Sequence, residues 1–289
     1  MNPIQEKVFQ MLQVFTRICD QLHLKYFLVC GSALGAVKYG GFIPWDDDVD
    51  VALFRNDYER FCKEAPALLP AHLFLQNFRS DPAFPAVYSK LRDSGTTCIE
   101  ESVAAIPIHH GISLDIFPLD GYPKDKKEQK RLERRKAWFV RKLSIPCVRP
   151  ERWKEMLVKP LRALGFGKNT AQTAEAYTAL ISVWPVENSD IIANHGNWQG
   201  RLEYHRKEIY GEGSRGSFEG AAVRLPADCD AYLRQKYGDY RQDPPPDKQR
   251  SHHRYQRLDA ERPYTEFLNL RANVLKNTIK KPEQRKGLE

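Results

Sequence analysis

The sequence predicts an α+β protein, a mixed β-sheet core with flanking helices and a mainly helical carboxy-terminal part. Three observations point there. Short apolar runs of strand length alternate with helical segments as far as residue 121. From Lys124 the helical period takes over. The 289 residues, 42% of them hydrophobic, are enough for a substantial core, organised as residues 1–121 with the sheet and residues 122–289 as a helical region.

The elements follow in order. Met1 to Leu24 reads as an amphipathic helix, because Ile4, Val8, Met11, Leu12, Phe15, Ile18 and Leu22 recur at helical spacing. Lys25 to Cys30 is an apolar strand that stops at Gly31-Ser32, and a helix-like run, Ala33 to Lys38, follows directly. Further strands are expected over Val49–Phe54, Leu73–Phe78, Tyr88–Leu91 and Ile112–Phe117, with Pro118 a natural end to the last. A helix is expected from about Asn56 to Glu64. The chain closes with Phe218 to Tyr240 and the turn Pro244-Pro245-Pro246, without internal repeats or low-complexity tracts.

The chemistry concentrates where the first strand meets its helix. A strand that stops at a small turn and opens a helix aims backbone N–H groups and a positive helix end at an anion. Shortly downstream stand Asp46, Asp47, Asp48 and Asp50, four acids within five residues. Side chains alternate along a strand, so Asp48 and Asp50 share a face while Val49 and Val51 turn to the core. Carboxylates at that density suit a Mg²⁺ or Mn²⁺ ion that also binds phosphate oxygens. Asp115 is a lone acid inside an apolar strand, a costly placement unless it is protonated, paired or bound to metal. Together these features read as a nucleotidyltransferase-type site. Lys90 and Arg92 lie on one face of a strand and could serve as fixed donors to a diphosphate.

The run Tyr26 to Asp50, containing Cys30-Gly31-Ser32-Ala33-Leu34-Gly35 and Pro44-Trp45-Asp46-Asp47-Asp48-Val49-Asp50, resembles the signature of the LicD family, whose relatives include fukutin and fukutin-related protein. The resemblance continues through Tyr88 to Asp93, His110 to Gly121, Phe218-Glu219-Gly220, Tyr237-Gly238-Asp239-Tyr240, Pro244-Pro245 and His252-His253. Residues 122 to 200 are least constrained by it. It implies a nucleotidyltransferase-like fold that moves a phosphorylated alcohol, typically phosphocholine, from CDP-choline or a related CDP-alcohol to a glycan hydroxyl, releasing CMP. In that reading residues 1–121 are the catalytic core, and residues 122–289 complete the active site on the acceptor side.

Residue by residue, Gly31 and Ser32 match the family's phosphate-side turn, Asp48 and Asp50 its metal carboxylates, and Asp115 its third acid. Cys30-Gly31-Ser32-Ala33 departs from the more usual Gly-Thr-Leu but keeps a small residue and a hydroxyl. Asp115 or Asp46 is the expected acceptor of the sugar hydroxyl's proton. Trp45 is the leading candidate to contact a choline headgroup, or else packs under the loop. His252 or His253 is expected at the acceptor or phosphate rather than on metal. Two rival classes use the same residues: a true nucleotidyltransferase releasing pyrophosphate, and a non-catalytic nucleotide- or glycan-binding protein.

Charge is uneven. Lys124 to Lys142 holds ten Lys or Arg against three Asp or Glu, a local net of +7 beside +8 for the whole chain. With Trp153, Met156, Leu157, Leu161 and Leu164 beyond it, residues 124–164 suit either a solvated helix packed by its apolar stripe or peripheral contact with an anionic membrane carrying a lipid-linked acceptor. The basic run lacks the interleaved aromatics of a nucleic-acid surface. No apolar run approaches the roughly 18 residues a membrane span needs, so a cytoplasmic protein is expected, in peripheral contact with the inner membrane face if the segment binds lipid. The six cysteines form no C-x-x-C pair, which indicates neither zinc nor a disulfide framework.

Overall fold

The computed structural model describes residues 1–147, 152–197, 199–251 and 253–268. Helix α1, Pro3–Gln21, starts at a reciprocal cap in which the Asn2 side chain accepts from the Gln5 N–H and the Gln5 side chain accepts from the Asn2 N–H, each at 2.9 Å. Val8, Met11, Leu12, Phe15 and Ile18 form its buried stripe, as their spacing predicts. Phe15 is wedged between Tyr26 and Phe61, with ring centroids at 5.3 and 5.1 Å. Truncating it to Ala would cost roughly 3–5 kcal/mol.

The main sheet runs in the order β1 (Tyr26–Leu28), β2 (Asp50–Phe54), β6 (Ser113–Gly121), β4 (Ser89–Asp93) and β3 (Leu73–Gln76). Two further strands, β7 (Ile191–Ala193) and β8 (Tyr204–Arg206), extend it from β6. Only β2 and β6 pair in parallel, so the sheet is mixed. The register sets Asp50 opposite Asp115, Asp115 opposite Lys90 and Lys90 opposite Gln76.

Pro118 does not end its strand. The Asp115 N–H donates to Val49 on the β2 side, so by alternation the missing donor of Pro118 faces the other flank. There β4 has already ended, opposite Ile116, and no ladder bond is forfeited. Cys30 is likewise not a strand residue but the first residue of α2, Cys30–Lys38. Helix α3, Arg55–Glu64, follows β2 directly.

Beyond residue 121 the chain carries helices α4 (Lys126–Leu143), α5 (Arg152–Ala163) and α6 (Thr170–Ile181), then α7 (Lys207–Tyr210) and α8 (Cys229–Tyr237). Pro160 lies within α5 rather than between two helices. Helix α4 buries Leu132, Phe139 and Leu143 against Ala174, Tyr177 and Ile181 of α6, with the Phe139 and Tyr177 rings stacked at 5.5 Å. Strands that the sequence pattern did not indicate are interleaved here. Besides β7 and β8, they are the hairpin β9 (Ser214–Phe218) and β10 (Ala221–Leu225), and β11 (Tyr255–Asp259), which pairs with β5 (Thr97–Glu100). The principal core draws Val186, Ile192, Tyr210, Phe218 and Tyr232 from this region onto the sheet and α1.

Candidate active site

The turn after β1 is fixed from three directions. The Val29 N–H donates to the Asp50 carbonyl at 3.0 Å, the Cys30 N–H donates to the Tyr232 hydroxyl at 2.9 Å, and Ser32 Oγ accepts from the Asp50 N–H at 2.8 Å. Cys30 takes a left-handed φ of 53° to make the change from strand to helix, a conformation that strains a non-glycine residue. A Cβ added at Gly31 would stand 3.0 Å from Asp46 Oδ2, so glycine lets the acid loop close over the turn.

The acids converge on this turn. Ligand atoms of Asp46, Asp48 and His253 lie within 4.8 Å of one another, the trio among the described residues that could hold a metal ion. Burial, then repulsion from Asp48, lifts the Asp46 carboxyl to about 7. Burial, then Asp48 and Asp115, drives Asp50 well above the usual carboxylate range. Burial pulls His253 down, but its 2.9 Å hydrogen bond to Asp48 Oδ2 and the charges of Asp48 and Asp47 outweigh that and raise it to about 9. A protonated imidazole thus stands in as counter-charge where carboxylates crowd. The donor set, hard oxygens with one imidazole, fits a divalent cation such as Mn²⁺ or Mg²⁺, and its crowding is what such an ion relieves. Asp47 turns away to the Tyr255 and Ser251 hydroxyls, each at 3.3 Å.

Of the acids expected to share an ion, Asp115 has a different immediate partner. Lys90 Nζ lies 2.8 Å from Asp115 Oδ1 and 2.9 Å from Oδ2. Burial raises the Asp115 carboxyl and Lys90 opposes the rise. Lys90 also faces Glu100 at 3.6 Å and, first among causes, depresses that carboxyl. Arg92 is not placed as a phosphate donor. It is 1% exposed, and its guanidinium donates to Gln76 Oε1 at 2.8 Å and to the Gly111 carbonyl at 2.7 Å, a structural use enforced by burial. Trp45 is half-buried, edge-to-face with Tyr39 at 6.1 Å. His252 lies outside the described residues. His253, expected at the acceptor or phosphate rather than on metal, bonds Asp48 and completes the trio with Asp46 and Asp48.

Sequence reasoning missed a buried pair behind the turn. Lys236 on α8 and Glu203 contact each other as an ion pair, both side chains 1% exposed. Lys236 Nζ donates to Cys30 Sγ at 3.5 Å, Asn197 Nδ2 donates to the same sulfur at 3.4 Å, and the thiol donates to Glu203 at 3.7 Å. Only Lys236 carried a signal, its place just before Tyr237-Gly238-Asp239-Tyr240.

A mixed sheet whose strand-to-helix turn meets a carboxylate cluster defines a nucleotidyltransferase-like protein. The chain belongs to the LicD family: a family model described as LicD/FKTN/FKRP, nucleotidyltransferase domain, matches residues 23–173. The chain is similar to the lipopolysaccharide cholinephosphotransferase LicD of Haemophilus influenzae, 28% identical over 255 residues that cover 84% of this chain and 91% of that protein. It also resembles an uncharacterized protein of Rickettsia typhi, 30% identical over 59 residues, 20% of this chain and 19% of that one. A 50-residue match to an uncharacterized protein of Rickettsia prowazekii is 32% identical, covering 17% and 19% of the two chains.

Proposed function

We propose that the protein transfers phosphocholine, or a related phospho-alcohol, from a CDP-activated donor to a hydroxyl of a cell-surface glycan, releasing CMP. The observation that carries this reading is the convergence of Asp46, Asp48, Asp50 and Asp115 beside the Gly31-Ser32 turn in a LicD-family chain. The long similarity to a lipopolysaccharide cholinephosphotransferase supports the choice of transferred group.

A Mg²⁺ or Mn²⁺ ion held by Asp46, Asp48 and Asp50, with His253 once it has lost its proton, would neutralise the donor's phosphate charge. The chain's own residues do the rest. The Gly31-Ser32 turn presents its backbone to the diphosphate, and the Ser32 bond to Asp50 fixes the spacing between turn and acids. The acceptor oxygen attacks the phosphorus that bears the alcohol. The bond from that phosphorus to the bridging oxygen breaks, and the oxygen leaves with CMP. The hydroxyl proton passes to a carboxylate oxygen of Asp115, which Lys90 holds in place.

The acceptor side includes residues 124–164 in this reading. Exposed Trp138, Val140, Met156, Leu157, Leu164 and Phe166 lie in and just beyond the segment that carries exposed Arg134, Arg135 and Arg141, a combination suited to an anionic membrane surface bearing a lipid-linked glycan. No helix among the described residues is long and apolar enough to cross a membrane. Incubation with CDP-choline, Mn²⁺ and lipopolysaccharide tests the function: CMP and choline-bearing glycan should appear in equal amounts. Pyrophosphate release from CTP, without CMP from CDP-choline, would assign nucleotidyl transfer instead.

A further inference from the structure

Beside Lys90 the chain forms a half-open cavity of about 290 Å³. Phe84, Tyr88, Val103, Leu143 and Tyr177 supply apolar and aromatic wall, and its polar groups include Lys90, Glu100, His195, Asn197, Ser102 and Arg92, whose guanidinium is already taken up by Gln76 and the Gly111 carbonyl. Two bonds tie it to the acid site: Lys90 Nζ on Asp115 at 2.8 Å and Asn197 Nδ2 on Cys30 Sγ at 3.4 Å. The cavity therefore borders the carboxylates on the side where β4 and the loop after β7 meet.

Its aromatic wall already faces a cation, since Lys90 Nζ lies 5.8 Å from the Tyr88 ring centroid. Phe84 and Phe117 hold that ring at 5.9 and 4.7 Å. A Cβ added at Gly196 would come within 3.3 Å of both Tyr88 and Phe117, so the backbone closes directly on the ring. His195 is 5% exposed, its Nε2 has no hydrogen-bond partner among the described residues, and burial keeps it neutral. It adds no positive charge to repel a cation.

We infer that this cavity receives the quaternary ammonium end of phosphocholine, with the phosphate end at Lys90. The inference rests on the transferase reading above and names where its donor's headgroup sits. A zwitterion matches the arrangement: Lys90 for the anionic end, and Glu100 with the Tyr88 face for the cationic end. Trimethylammonium has no N–H or O–H to satisfy, so Phe84, Val103 and Leu143 leave nothing unpaired. The hydroxyls of a glycerol or ribitol phosphate would have only Ser102, Ser144 and Asn197 to turn to, and any set against Phe84, Val103 or Leu143 would go unpaired. Trp45, the headgroup candidate in the sequence, does not line the cavity.

Calorimetric titration of the full chain with CMP, CDP-choline and CDP-glycerol tests this, with Mn²⁺ present. The wild type should prefer CDP-choline to CDP-glycerol. Val103→Trp and Ala86→Trp fill the cavity from two walls, and each should weaken CDP-choline about tenfold while CMP affinity stays unchanged. Tyr88→Leu keeps apolar bulk without the ring and should do the same, and it decides the case if both tryptophans disturb CMP binding. Wild-type CDP-choline affinity in a variant that still binds CMP normally would overturn the cavity assignment while leaving the transferase reading intact. A preference for CDP-glycerol in the wild type, lost in the filled variants, would overturn the headgroup class. No CDP-choline binding or turnover by the wild type would instead refute the transferase reading on which the inference rests.

Discussion

The Asp48→Asn substitution removes one negative charge from the crowded acids while keeping the side chain's shape. Two effects on the apo protein oppose each other. At separations within 4.8 Å, a pair of ionised carboxylates repels by roughly 3 kcal/mol at an effective dielectric near 20, but Asp46, lifted to about 7, is only about half ionised at pH 7, so Asn relieves about half of that. It also removes the partner of His253, whose rise from 6.5 to about 9 is worth at most about 3 kcal/mol. The His253 contribution is fully present below pH 6.5 and is lost as pH rises through about 9, so at pH 7 about three-quarters of it is there to lose. The two partly offset, and stability by urea denaturation at pH 7 should fall by less than about 2 kcal/mol. Cation binding has no such compensation. Mn²⁺ affinity, measured by calorimetry at pH 7.5, should fall roughly a hundredfold, and turnover with it. In the variant the His253 imidazole should titrate well below about 9 by NMR. Wild-type Mn²⁺ affinity together with wild-type turnover would refute Asp48 as a metal carboxylate.

Lys236→Met should destabilise the chain by roughly 3–5 kcal/mol, because it strands Glu203 as a buried charge, and adding Glu203→Gln should restore much of the loss; equal urea midpoints for the single and double variants would show that the pair does not couple. Burial, then Arg92 and His110, lowers His109 to about 3 while its ring stacks on Phe74. Its contribution is complete above pH 6.5 and fades as pH falls toward 3, so His109→Phe should remove about 2 kcal/mol of the stability lost between pH 7 and pH 5; an unchanged pH dependence of unfolding would count against a neutral, buried imidazole. Reversing the exposed Arg134 and Arg135 to Glu should weaken binding to phosphatidylserine vesicles by ~1 kcal/mol per charge removed, with the wild-type binding falling as salt rises. Lys136 is unsuitable for that test, being buried against Glu133 and Tyr204. Failure of the wild type to bind such vesicles at low salt would make α4 a solvated face packed on α6.

What was legible in the sequence was whatever a local pattern encodes. The stripe of α1, the apolar run into Gly31-Ser32, and the alternation that sends Asp50 one way and Val51 the other each need only neighbouring residues, and each appears in the fold. Pairings between distant segments left no such trace. His253 reaches Asp48 only because β11 returns to lie on β5. Arg92 and Lys90 share a strand face and look equivalent in sequence, yet the Gly111 carbonyl and Gln76 claim one while Asp115 takes the other. The Lys236–Glu203 pair breaks the ordinary rule that charges face water, and a rule broken by tertiary contact is invisible to periodicity. Cys30 needed its hydrogen bond to Tyr232, on α8, to be recognised as the strained first residue of a helix.

The row Asp50, Asp115, Lys90, Gln76 crosses four strands in register, so the sheet itself orders acid, acid, base and amide along one line of its site face. The opposite face carries Val51, Leu114, Ile116, Leu91 and Leu75, all in the principal core with the stripe of α1. A slip of one residue in any of these strands would exchange the two faces, burying carboxylates against Phe15 and presenting aliphatic side chains to the turn. The hydrophobic seat of α1 therefore does more than stabilise the fold: by making every slipped register expensive, it holds Asp115 between Asp50 and Lys90. Polar substitutions in that stripe, Met11→Gln for instance, act at a distance from the acids. They should loosen the Asp115–Lys90 pairing before they unfold the chain, because the register has lost the contact that enforces it.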